Sequence, residues 1–244
     1  MKGTYKIADI IIEIDSLYPD VHRYCADYRC EGEAQIAVKI SQSDIEYERE
    51  KSRLTAEKEG RPLVQSSDGY LEELAVYRKI AEKMTEFDTF LFHGSCVAVD
   101  GVAYLFTACS GTGKSTHAAL WRKLLGERAV MVNDDKPLIR VNDKGVTVFG
   151  TPYNGKHRLG ENISAPLKAI AVLERARDNF IKPVTAGEIY PKIVQQTYRS
   201  ADGAALARTL ALTDRMLSQV SLYRLGCNMD IEAAQIAFTA MSKR

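Results

Sequence analysis

Charge imbalance is missing from this chain: 33 lysines and arginines face 32 aspartates and glutamates, a formal net charge of +1. So balanced a composition gives no electrostatic footprint for nucleic acid or for an anionic membrane surface. Long apolar runs are missing too, and none approaches the ~18 residues that a membrane span needs. The opening MKGTYKIADIIIEID holds a short apolar run, but an aspartate interrupts it and no small-residue cleavage site follows, so it reads as a strand. Cysteine is sparse and scattered. Cys25, Cys30, Cys96, Cys109 and Cys227 are odd in number and form no CxxC pair. That argues against a disulfide framework or a zinc site and leads us to expect a reduced, cytoplasmic protein. There is no internal repeat and no low-complexity tract.

The 244 residues suffice for one substantial α/β domain with a smaller module. We expect residues 1–85 to form an N-terminal α+β module, open to substrate or partner recognition, and residues 86–244 to form the catalytic core. In the first part, Tyr5–Ile14 and Ala34–Ile40 read as strands. Ser43 and Glu46 have capping-box spacing and open a charged stretch to Arg61, read as a solvated helix or a mobile loop. A helix follows over about Gly69–Met84, with Tyr70, Leu74, Tyr77, Ala81 and Met84 along one face. In the core, Leu91–Val99 and Val102–Thr107 are apolar runs joined by Asp100-Gly101, the dipeptide suited to a two-residue hairpin. A helix from Lys114 to about Leu125, a strand at Ala129–Val132 and a hairpin of Pro137–Val141 with Val146–Phe149 come next. Later elements are a strand at Leu167–Leu173, helices near 186–198 and 203–219, a strand at Ser221–Leu225 and a helix at Ile231–Met241.

Ala108-Cys109-Ser110-Gly111-Thr112-Gly113-Lys114-Ser115 fits the P-loop pattern, with alanine in place of the first glycine. Glycines let successive backbone N–H groups turn inward around a polyphosphate, and the following helix adds its positive dipole end. The expected phosphate-binding set is Ser110, Gly111, Thr112, Gly113, Lys114, Ser115 and Thr116. Lys114 would put its charge on the β- and γ-phosphates, and the Ser115 hydroxyl would ligate Mg²⁺. Twenty positions after Lys114, Asp134 and Asp135 end a predicted strand. One carboxylate there can hold Mg²⁺, and the other can accept the proton of an attacking hydroxyl. Asp134 for the metal and Asp135 as base is the preferred order, and the sequence leaves the reverse open. In the loop from Gly150, rich in turn formers, Lys156 and then Arg158 are the side chains expected to reach a phosphate or an anionic substrate.

The hairpin before the P-loop and the short strands after Asp135 set this loop in an antiparallel context, unlike the doubly wound sheets of common P-loop NTPases. The Asn-Lys-x-Asp guanine reader is absent, since Asn133-Asp134-Asp135-Lys136 has the wrong order. The segment FLFHGSCVAVDGVAYLFTACSGTGKST followed by VMVNDD resembles the catalytic core of the HPr kinase/phosphorylase family, which shares its nucleotide-binding fold with phosphoenolpyruvate carboxykinase. The shared pattern is His-Gly on a strand, a hairpin, the P-loop, a helix, and a strand ending in Asp-Asp. The resemblance implies an α/β fold of α+β character, with the P-loop in a mixed, largely antiparallel sheet beside the small N-terminal module. It implies ATP and Mg²⁺ as cofactors and a catalytic set of Asp135, His93 and Lys114, with His93 close to the reacting phosphate. It also implies a serine-like hydroxyl of a protein, peptide or metabolite as acceptor, and allows for a homo-oligomer. The alternative is a nucleotide-binding regulatory or assembly module with weak or no ATPase activity.

Overall fold

Alternating isoleucines build a small sheet at the start of the chain. In the computed structural model, which describes residues 1–155 and 157–243, β1 (Lys2–Ile7) and β2 (Ile10–Asp15) pair antiparallel. The single strand expected over Tyr5–Ile14 is therefore a hairpin, because Ala8 and Asp9 both take positive φ and reverse the chain without glycine. After the short α1 (Asp20–Tyr24), β3 (Ile36–Lys39) joins β2 in parallel. Ile10, Ile12, Ile14, Ile36 and Val38 are buried. The charged stretch is a helix, α2 (Gln42–Lys58), with pairs such as Arg53 with Glu50 and Glu57 along its exposed side. Its cap is Ser41 with Asp44, not Ser43 with Glu46. The shorter Asp44 carboxylate reaches back to the Ser41 N–H at 3.0 Å, and Glu46 pairs with Arg49 instead. On α3 (Asp68–Met84), Tyr77, Ala81 and Met84 are buried as expected, but Tyr70 is 51% exposed and Leu74 half-buried. Leu71 and Ala75 are buried in their place, since a phenol can remain at a wet edge where a leucine cannot. These elements form one compact unit, Met1–Lys83, and the residues from Met84 onward form a second.

Among the described residues, the second unit is built on nine strands. In chain order they are β4 (Thr89–Leu91), β5 (Ser95–Val99), β6 (Val102–Thr107), β7 (Ala129–Asn133), β8 (Leu138–Asn142), β9 (Gly145–Phe149), β10 (Ser164–Arg175), β11 (Phe180–Pro183) and β12 (Ser221–Cys227). The α-helices among the described residues are α4 (Lys114–Leu125), α5 (Ala186–Gln196), α6 (Gly203–Leu217) and α7 (Ile231–Met241). The strands run in the order β4-β8-β9-β10-β6-β5-β7, with β12 also on β10 and β11 on β12. Pairs β6–β10 and β10–β12 are parallel and the other strand pairs antiparallel, so the sheet is mixed. The strand that feeds the glycine turn, β6, is thus antiparallel to β5 on one side but parallel to β10 on the other.

The long β10 curls the sheet by changing partners. Ser164–Pro166 pair with β9, and from Leu167 the strand pairs with β6 across an irregularity at Leu167/Ala169. That extra residue shifts the alternation: Ala165, Leu167, Ile170 and Val172 join one core, while Ala169, Ala171 and Leu173 join the other. The first core holds Ile189, Ile193, Leu212 and Met216 from α5 and α6, and the second holds Ala118, Trp121, Ala234 and Ala237 from α4 and α7. The result is helices on both faces of one sheet.

The second core contains a titratable group that the sequence did not single out. His117 is 2% exposed, its Nε2 accepts the Trp121 Nε1–H at 3.0 Å, and burial pushes its pKa down to about 4. Because the folded value lies below the ordinary 6.5, the unfolded chain takes up the proton first. The neutral ring's contribution is complete above about pH 6.5 and is lost as the pH falls toward 4. We expect this group alone to lower stability by roughly 2 kcal/mol between pH 7 and pH 5. Urea unfolding of wild type and His117→Gln at both pH values measures it: the variant should lose that much less on acidification.

Candidate active site

The expected strand Leu91–Val99 is broken at Phe92–Gly94, so His93 and Gly94 lie between β4 and β5 rather than on a strand. The break has a steric cause. A Cβ on Gly94 would stand 2.9 Å from the Phe106 carbonyl oxygen, so only glycine lets the chain pass the end of β6 this closely. Three bonds pin the turn: His93 N–H to Gln196 O at 2.7 Å, Gly94 N–H to Asp135 O at 3.0 Å, and Thr107 Oγ1 to His93 O at 3.0 Å. The chain then runs down β5, reverses at Asp100-Gly101 as expected, and returns up β6 into the glycine turn.

In that turn Gly111 and Gly113 have φ of 76° and 120°, which a side-chain-bearing residue would adopt only under strain. No side chain caps α4, leaving its first N–H groups for an anion. Lys114 is 8% exposed, and its ammonium donates to Ala108 O at 3.0 Å and Cys109 O at 3.4 Å. Burial lowers its pKa, opposed chiefly by the charge of Asp135.

The two aspartates differ sharply in setting. Asp134 is buried, and its Oδ1 accepts the Ser95 hydroxyl at 2.7 Å. Asp135 is one-third exposed, with Oδ1 3.4 Å from His93 Nε2 and Oδ2 3.9 Å from Lys136 Nζ. The fully buried Asn133 turns the chain between them: its Oδ1 accepts the N–H groups of Asp135 and Lys136 at 2.9 and 2.6 Å, and its Nδ2 donates to Thr151 Oγ1 at 3.0 Å. His93 Nδ1 lies 2.7 Å from Gln196 Oε1. With that carbonyl as acceptor, Nδ1 carries the proton and the Nε2 lone pair is directed to the Asp135 side. Burial and the Lys114 charge press the imidazole pKa below its ordinary value, against Gln196 and Asp135, so the ring is neutral at pH 7.

His93, Ser110, Gly111, Gly113, Lys114, Ser115, Thr116, Asp134 and Asp135 all line one cleft of about 600 Å³. Thr112 does not; it lines a neighbouring groove. Lys156 lies outside the described residues, and Arg158 is not on the wall, whereas Gly155 and His157 from the same loop are. Reasoning from sequence missed Ser95, Asn133 and Gln196. For Asn133 a signal existed, since asparagine ahead of an Asp pair at a strand end is an Asx-turn former. Gln196 had none.

The fold is thus a mixed α/β layer structure whose glycine turn and acid pair meet at one cleft. No protein-family model matches the chain, and no curated protein does. Among the solved structures similar to it is the HPr(Ser) kinase/phosphatase from Coxiella burnetii, which is 9% identical and spans 62% of this chain and 95% of that one, with a TM-score of 0.35. At that distance the likeness carries no argument about chemistry, which has to come from the cleft itself.

Proposed function

We propose that this protein is an ATP- and Mg²⁺-dependent phosphotransferase that moves the γ-phosphate to a serine-like hydroxyl of a protein, peptide or small molecule. The observation that carries the reading is the convergence of Lys114, Asp134, Asp135 and His93 on the glycine-turn cleft. A chain that only bound nucleotide would have little use for a half-buried carboxylate set 3.4 Å from the Nε2 of a neutral imidazole beside the phosphate cradle.

In this reading the turn amides and Lys114 hold the β- and γ-phosphates. Among the described residues no group of three or more His, Cys, Asp or Glu side chains forms a metal cage. Mg²⁺ needs none, because it binds one or two carboxylates together with the substrate's phosphates. The buried Asp134 carboxylate and the Ser115 hydroxyl are the oxygen donors that fit it, and the ion would neutralise charge on the phosphate oxygens. Ser95 fixes the Asp134 carboxylate so that one oxygen stays oriented. Asp135 accepts the acceptor's hydroxyl proton as the oxygen forms its bond to the γ-phosphorus and the bond to the β-phosphate oxygen breaks, releasing ADP. His93, held at Nδ1 by Gln196, presents Nε2 as the second basic atom beside that proton. All these side chains belong to the unit from Met84 onward, which leaves Met1–Lys83 for recognising the acceptor or a partner.

Mass-spectrometric detection of a phosphorylated product, with ATP consumption followed in parallel, tests the proposal on candidate hydroxyl acceptors. Lys114→Met should lower transfer roughly 10²–10³-fold, the usual cost of one phosphate-stabilising donor. If wild type phosphorylates no acceptor and consumes ATP no faster than the variant, the kinase reading fails in favour of a nucleotide-binding regulatory module.

A further inference from the structure

The segment that joins α2 to α3 has an unusual composition for a connection. Residues 61–67 form neither helix, strand nor turn, and Pro62 and the β-branched Val64 favour an extended path. Connections are ordinarily polar, yet here Leu63 is 53% exposed and Val64 is 71% exposed. Both ends are fixed: the Arg61 N–H donates to Ala56 O at 3.0 Å, and the Leu71 N–H to Ser67 O at 3.0 Å. Between them, the main-chain N–H and C=O groups of residues 63–66 have no backbone partner among the described residues. Unmet donors and acceptors along an extended segment are the template to which another strand adds.

Beside this segment runs a groove of about 480 Å³. Glu46, Arg49, Glu50 and Arg53 of α2 line it at the spacing of one helix face, opposite Leu63 and Val64. The charges on that face are spent within the chain. Arg49 pairs with Glu46 and Asp68, and Arg53 with Glu50 and Glu57, so the groove has no surplus charge for a charged ligand. Buried Leu71 adds apolar surface to the lining. A second hollow on α2 shares Glu50 and exposes Tyr47 and Leu54. With Tyr70, five of the ten exposed large hydrophobic side chains among the described residues fall within residues 47–70, the concentration expected of an interaction surface.

We propose that this groove docks an extended, uncharged stretch of a polypeptide by strand addition. The partner's backbone pairs with residues 63–66, and its alternate apolar side chains enter the groove against α2 and Leu71. A helical partner spends its main-chain donors internally and leaves those of residues 63–66 unmet. The docking stands on this unit alone. Its assignment to the phosphate acceptor, gripped by a stretch apart from the reacting hydroxyl, rests on the kinase reading, and it narrows the acceptor to a polypeptide.

Fluorescence anisotropy tests the docking on the full chain without nucleotide, using labelled, acetylated peptides that alternate threonine with valine or leucine. Saturable binding is expected. The double variant Leu63→Ser, Val64→Thr should weaken it about tenfold or more. N-methylation of the peptide amides, which removes the backbone donors and keeps the side chains, should do the same. At the exposure of these two residues, neither substitution threatens the fold. No saturable binding, or binding that ignores the variant or the N-methylation, overturns the proposal. Self-association of wild type in sedimentation velocity, abolished in the double variant, would give the surface to a second copy of the chain and overturn it as well. The assignment to the acceptor has its own readout. For an acceptor that wild type phosphorylates, the double variant should raise the acceptor KM about tenfold and leave kcat and the KM for ATP within about twofold. An unchanged acceptor KM overturns the assignment while the docking stands. If wild type phosphorylates nothing, the assignment falls with the kinase reading and the docking still stands on the peptide data.

Discussion

Replacing Asp135 with asparagine is expected to slow phosphoryl transfer roughly 10²–10⁴-fold, the range associated with a positioned general base, while nucleotide affinity changes little. The substitution is nearly isosteric, and the bonds that shape this turn use the backbone of residue 135: its N–H goes to Asn133 Oδ1 and its O accepts from Gly94. What is lost is the carboxylate that faces His93 Nε2 at 3.4 Å. Asp134→Asn should behave differently. Its carboxylate is buried and occupied by Ser95, so the variant should raise the Mg²⁺ concentration needed for half-maximal rate, which Asp135→Asn should not. Steady-state rates against ATP and Mg²⁺ for the two variants distinguish the roles. Equal metal dependence in both, or transfer by Asp135→Asn at wild-type rate, would reject the division of labour. The pH profile gives an independent check. Because burial and Lys114 hold the His93 pKa below 6.5, the ring stays neutral as the pH falls from 8, and its protonation should depress the rate only below that value.

What was legible in the sequence was local. Helix α4 begins at Lys114 because glycines with positive φ end the preceding turn, and the Asp100-Gly101 hairpin is two-residue turn chemistry; both read directly from neighbouring residues. The order of strand, turn, helix and acid-ended strand was then enough to bring Lys114, Asp134 and Asp135 to one cleft. The contacts that orient these groups were not local. His93 and Gln196 are 103 positions apart, and they meet only because α5 ends where the chain breaks between β4 and β5. The extent of β10 was hidden for a related reason. Its apolar middle was visible, but Ser164–Pro166 are strand only because β9 supplies a backbone partner. β11 is four mostly exposed residues ending in proline, with no hydrophobic alternation to betray it, and exists through its pairing with β12. The Gly94 break was misread because a continuous apolar run conceals the close approach of a carbonyl from the next strand.

Trp121→Ala is expected to destabilise the unit from Met84 onward by about 3–5 kcal/mol, the cost of emptying a large aromatic site in a packed core. Trp121 is fully buried, and its ring lies 5.0 Å from both Tyr104 and Phe106 of β6 and 5.4 Å from Phe238 of α7. It therefore joins the helix that begins at Lys114 to the strand before the glycine turn and to the closing helix. Its N–H is also the partner of buried His117, so truncation adds an unsatisfied acceptor to the cavity. Trp121→Phe keeps most of the ring packing and removes the N–H, and should cost about 1–2 kcal/mol. As the sole tryptophan, Trp121 makes intrinsic fluorescence of the wild type report on this unit alone, and circular dichroism in urea follows both variants. Similar losses for alanine and phenylalanine would mean that the hydrogen bond to His117, rather than the packing of three rings, anchors α4 beneath the glycine turn. In that case tripolyphosphate affinity should fall in both variants; if packing is the anchor, it should fall in the alanine variant alone.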